Sequence, residues 1–157
     1  SISSKIQKYQ NKFNYIFVPD AATFYSNTFT SDAYFDNATF YGQADFRQKT
    51  FEYKVYFRNV IFYEKAIFKG AKFNNDADFS LTKFEKEAEF DDACFLTNAN
   101  FSSTVFYENV NFRSVTFSNI SYFVESVFHN KTVFSDAKFL QGVDFTSSTF
   151  KKEVDFN

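Results

Sequence analysis

From Phe24 to Phe156 the phenylalanines recur at spacings that alternate five and six without a slip: 24, 29, 35, 40, 46, 51 and onward to 145, 150 and 156. Twenty-five of the chain's 27 Phe sit on this lattice of period eleven. Extended backward, the lattice meets Phe13 and Val18 and leaves out only Phe17. A fixed internal period constrains the fold more than any other sequence feature, because each repeat must bury its apolar residues against its neighbours. Eleven residues also make three turns of α-helix, the signature of a right-handed supercoil. That reading fails, because a helical seam needs apolar residues three and four apart, whereas residues five apart lie about 140° apart around a helix.

The position two before each lattice Phe selects the strand. From Ala22 to Val154 it is Ala, Val, Ser or Thr in 23 of 25 repeats, with Asn27 and Lys49 as the exceptions. Residues i and i−2 of a strand share a face, so each repeat points one small side chain and one Phe inward and turns the residue between them outward. That outward residue is mixed: Tyr34, Thr39, Asp45, Lys72, Glu89, Asn100 and Asp144. Two residues after the Phe, on the five-residue arm, stand Ser26, Asn37, Asn59, Gly70, Asp92, Ser103, Ser114, Asp136 and Ser147 in nine of twelve cases. These are turn formers, and they mark corners.

The phrases Ala44 to Phe51, Ala71 to Phe79 and Ala99 to Phe106 resemble the pentapeptide-repeat family, whose unit is a small residue, a polar residue, then Leu or Phe, then two more. The resemblance implies an all-β chain folded as a right-handed, quadrilateral parallel β-helix. Ordinary members repeat every five residues. Here alternate units carry a sixth, such as Asp32, Gln43, Lys54 or Asp76, which makes this a Phe-rich variant with widened corners, about 22 residues per coil and roughly six coils.

Residues 22–157 form the expected solenoid, and 1–21 its cap or a first irregular coil. Ile2, Ile6, Tyr9 and Phe13 recur at helical spacing before Pro19, which predicts a short capping helix. The rival reading puts Phe13 and Val18 in a first coil. The chain stops one residue after a lattice Phe, so an uncapped last coil is expected to pair with a second copy or to continue in a longer solenoid.

Chemistry-bearing residues are few. The single His129 is expected at an outer corner, in the column Tyr41, Tyr63, Glu85, Tyr107 and Lys151; the single Cys94 is expected to face outward between Lys72 and Thr116. An exposed, unpaired thiol points to a reducing compartment such as the cytoplasm. Phosphate loops, metal-ligand spacings and nucleophile motifs are absent from the sequence, so no enzyme, cofactor or metal site is expected. No stretch approaches the roughly 18 apolar residues of a membrane span. A net charge of −2 argues against direct nucleic-acid binding.

Surface patterning remains. Residues 47–72 are basic, while Asp76, Asp78, Glu85, Glu87, Glu89, Asp91 and Asp92 make the next segment acidic, so the solenoid should carry adjacent bands that either pair across coils or steer a partner. Tyr34 with Tyr56, and Tyr41 with Tyr63, lie 22 apart and should stack outward. The expected function is a non-catalytic protein-binding or scaffold module that uses these tyrosines and carboxylates. Two alternatives stand beside it: a structural segment of a longer appendage or effector, and, from the resemblance, a duplex-DNA mimic acting on a type II topoisomerase such as gyrase. The column Asp45, Ile67, Glu89, Asn111, Val133, Asp155 is not the acidic stripe that the mimic needs.

Overall fold

A computed structural model describes residues 4–6, 11–24 and 26–157. Every element among them is a short parallel strand, and four sheets of eight, six, six and seven strands form the sides of a solenoid. The chain visits the sides in order. One coil runs through Ala44–Asp45 on the first face, Thr50–Phe51 on the second, Val55–Tyr56 on the third and Ile61–Phe62 on the fourth. Ala66–Ile67 then lies directly on Ala44–Asp45, a register of 22 residues.

The expected helix does not form among the described residues. β1 (Ser4–Ile6) is a strand paired with β3 (Ala22–Phe24), while Ile2 and Tyr9 lie outside the described residues. The rival reading holds for the rest of the segment. Phe13 is 4% exposed and stacks on Phe35 with ring centroids 4.7 Å apart. β2 (Phe17–Val18) pairs with Thr39–Phe40, which places Val18 under Phe40 in a Phe ladder. Burial of Phe13 among Phe24, Phe29 and Phe35 outweighs a helical pattern that rests on four residues.

Twenty-six of the 27 Phe make four ladders, one per face, with stacked rings 4.4 to 5.1 Å apart. This spacing matches the strand-to-strand step of about 4.8 Å. The ladders of the first and third faces meet on the axis edge to face: Phe57 stands at 88° to Phe46 and Phe68, at 5.3 and 5.4 Å. The second and fourth ladders fill the flanks, as with Phe51 against Phe57 at 6.1 Å and 81°.

The two arms of the repeat give two kinds of corner. After Phe on the first and third faces the chain makes a tight turn, closed by bonds such as Ala38 N–H to the Phe35 carbonyl (3.0 Å) and Ala93 N–H to the Phe90 carbonyl (3.0 Å). Its third residue takes positive φ, as at Asn37 (60°), Asn59 (55°), Gly70 (64°) and Asp92 (59°), the geometry of a type II turn. Leu81 holds φ 61° in the same column without the side chain that favours it. The six-residue corners are wider, and the carbonyl of the inserted residue accepts from the coil below: Ala22 N–H bonds Gln43 O at 2.7 Å and Ala44 N–H bonds Lys65 O at 3.0 Å.

The outward Asp and Asn of the first and third faces have a structural task. Asp45, Asp78, Asn100, Asn111 and Asp144 each accept, through a side-chain oxygen, from the backbone N–H two residues on, at 2.8 to 3.0 Å. These bonds satisfy a donor that the tight turn leaves free of the strand ladder.

Several polar groups in the core pair along the axis. Thr82, Thr104 and Ser126 donate to the carbonyls of Phe57, Phe79 and Phe101 in the coil beneath. The two exceptions to the small-residue rule pair with each other. Lys49, 9% exposed, donates its ammonium to Asn27 Oδ1 (2.9 Å) and to the Phe24 carbonyl (3.2 Å). Burial holds its pKa below the ordinary lysine value, with Asp45 pulling the other way.

Two outcomes test these assignments. Lys49→Ala and Asn27→Ala should be non-additive, with a coupling of about 1 kcal/mol in a urea double-mutant cycle; additive effects would mean that the pair does not interact. Leu81→Gly should stabilise the chain by about 0.5 to 1 kcal/mol, because the relief of left-handed strain exceeds the entropy of glycine. A fall in Tm on that substitution would contradict the strained turn.

Candidate functional site

A solenoid this regular offers function only its outward columns, where residues 22 apart become neighbours. On the third face the column reads Tyr34, Tyr56, Asp78, Asn100, Tyr122, Asp144. Tyr34 and Tyr56 stack at 5.1 Å and 12°, as the spacing predicts. The Arg58 guanidinium lies 4.8 Å from the Tyr56 ring centre and is held by Asp36 of the coil below, at 2.5 Å. This carboxylate raises the Arg58 pKa further. Burial and then Asp32, whose carboxylate accepts from its hydroxyl at 3.4 Å, raise the pKa of Tyr34.

Between Tyr56 and Tyr122 the column drops to two short side chains, and the surface sinks into a trough of about 430 Å³. Ala77 lies in its wall with Asp78 and Asn100, Lys54 and Asp76 stand on the wide-corner side, and Ser102 stands on the tight-corner side. Asp78 Oδ1 accepts from Ser80 N–H (2.9 Å) and Asn100 Nδ2 (3.2 Å), while Asn100 Oδ1 accepts from Ser102 N–H (3.0 Å).

A second aromatic ladder runs beside the fourth face. Phe17 meets Tyr41 at 4.6 Å, and Tyr41 stacks on Tyr63 at 4.6 Å and 13°. Phe17, the one phenylalanine outside the lattice, is 65% exposed, with Tyr41 at 41% and Tyr63 at 39%. Farther along the Tyr41 column, past Glu85, His129 stacks on Tyr107 at 4.9 Å with its Nδ1 3.4 Å from Lys151 Nζ. Cys94 is half-buried between Lys72 and Thr116 in its column.

The acidic residues do not gather on one surface. Asp78 belongs to the third face and Asp76 to the wide corner before it, Glu85 to the Tyr41 column, Glu89 to the first face and Glu87 to the wide corner before it, and Asp91 and Asp92 to the tight corner that follows. Several meet lysines of the basic band one coil below: Lys54 to Asp76 at 3.7 Å, Lys65 to Glu89 at 2.5 Å, and Lys69 to Asp91 at 2.6 Å. The Asp91 carboxylate raises the Lys69 pKa. Pairing across coils therefore accounts for much of the banding, although pairs whose lysines lie open to solvent are individually weak.

Reading the sequence by pairs missed Tyr122, although it lies three steps of 22 from Tyr56, and left Phe17 without a place. The signal for Phe17 was its exclusion from the lattice. No helix among the described residues is long and apolar enough to cross a membrane.

No curated protein matches the chain. The family model described as pentapeptide repeats (9 copies) matches residues 57–105 and 101–157. With that match over coils whose Phe ladders, tight corners and 22-residue register are now placed, the chain belongs to the pentapeptide-repeat family.

Proposed function

We propose that this solenoid is a non-catalytic module that binds a protein partner through its outward aromatic ladders. The observation that carries the reading is the exposed run of Phe17, Tyr41 and Tyr63. Strand pairing holds these rings in register and leaves them open to solvent, so binding loses little side-chain entropy. Aromatic residues are also enriched at protein interfaces. The Tyr34 and Tyr56 stack extends the aromatic surface onto the third face. Among the acidic residues, Asp76, Glu89 and Asp91 spend charge on neighbouring lysines. Asp78, Glu85, Glu87 and Asp92 remain as rim charges that set the association rate more than the affinity.

The test uses the full chain, with Phe17→Ser, Tyr41→Ser and Tyr63→Ser combined. A partner captured by the wild-type chain, identified and purified, should lose about 2 kcal/mol or more of binding to the triple variant, as expected for aromatic hot spots. Calorimetric titration measures the loss. The Tm should change little, because all three rings are substantially exposed. Unchanged affinity would remove the ladder from the interface.

A further inference from the structure

The chain itself holds a guanidinium beside the third-face trough. One coil below it, the fold places a guanidinium beside a tyrosine and a carboxylate: Arg58 lies 4.8 Å from the centre of Tyr56 and is bound by Asp36 through two bonds, Nε to Oδ1 at 3.1 Å and Nη2 to Oδ2 at 2.5 Å. In the next two coils the Arg58 position is Ser80 and then Ser102. Here the corner carries no arginine, and a carboxylate, Asp78, stands in the tyrosine column itself. Tyr56 and Tyr122 stand at the two ends, with Asp78 and Asn100 between them.

We infer that this trough receives an arginine side chain from the protein partner. The inference rests on the protein-binding reading above and assigns that partner a basic segment. Three features select a guanidinium. Tyrosine ring faces are electronegative and attract a cation. Two of the bonds to Asp78 fall on Oδ1, so Oδ2 remains as an acceptor for a charge-assisted bond. Tyr34 and Arg58 already cover the Tyr56 ring, but Tyr122 stands three coils away, about 14 Å at the strand step, which leaves room for a flat group against its ring. The other charges at this site are already committed: Lys54 to Asp76 at 3.7 Å, and Arg58 to Asp36. A planar guanidinium matches the slot better than a compact, strongly hydrated ammonium.

The probes are acetyl-Gly-Arg-Gly-Arg-Gly-amide and its lysine counterpart, titrated into the full chain and followed by NMR of the Asn100 side-chain amide and the Tyr122 ring. The arginine peptide should bind about three- to tenfold more tightly than the lysine peptide. Asp78→Asn, which keeps the Oδ1 acceptor, should reduce that affinity about fivefold. Ser102→Arg supplies a guanidinium from within, at the position that Arg58 occupies two coils below, and should abolish peptide binding while the Tm is retained. Equal binding of the two peptides, or arginine-peptide binding that is unchanged in both variants, overturns the inference. A partner that is lost on ladder substitution but kept by both trough variants removes this inference and leaves the protein-binding reading standing.

Discussion

The step between hydrogen-bonded coils is the constraint on which the rest of the structure depends. It sets a rise of about 4.8 Å per coil, and every inward ring must accept that spacing. A face-to-face sandwich is not the preferred geometry of two aromatic rings, since their quadrupoles repel, whereas edge-to-face contact is favourable. The central ladders combine the two. Phe68 is parallel to Phe46 and Phe90 at 4.8 and 4.9 Å, and it meets Phe57 and Phe79 edge to face at 5.4 and 5.3 Å. Each ring on the axis thus adds perpendicular contacts from the opposite wall to the parallel stacking along its own. The fourth face, on a flank, accommodates Val18 in the place that Phe holds in the coils after it.

The same constraint explains what could be read in the sequence. Coil length, the inward columns, the corner residues and the tyrosine stacks all follow from period and alternation, which survive without coordinates. What was lost depended on knowing which atoms meet across a register of 22. Asn27 and Lys49 were visible as two exceptions at that spacing, but their pairing required the direction of the Lys49 side chain toward the Phe24 carbonyl. The outward Asp and Asn looked like surface variety, because their bonds to turn N–H groups are a property of the tight corner. At the N-terminus, helical spacing and the lattice both claimed Phe13. The lattice holds because its partners extend through the whole core, whereas a helix would have buried that ring against a single coil end.

A 22-residue step also transforms charge. A basic stretch followed by an acidic one would be two opposed patches on a compact domain. Wound at this pitch, Lys54, Lys65 and Lys69 fall beside Asp76, Glu89 and Asp91, and the patches become rungs. Such rungs are weak individually, but they reduce the long-range field that a partner would feel. In the proposed binding role, this surface would depend more on short-range contacts than on steering.

Phe17 is the sharpest departure from the placement rule. A chain that buries its other phenylalanines with so few exceptions leaves this ring 65% exposed, at the foot of Tyr41 and Tyr63. Folding does not require it, because its position faces outward in β2 and the inward place beside it is filled by Val18. The outward residues that follow along the fourth face are Thr39, Ile61 and Lys83, so stacking does not demand an aromatic there either. An exposed apolar residue alone needs no explanation, but one that extends an ordered ladder of exposed rings adds to a contiguous apolar patch of the kind that marks an interaction surface. The residue that the core rule does not need is therefore the one on which the proposed binding surface most depends.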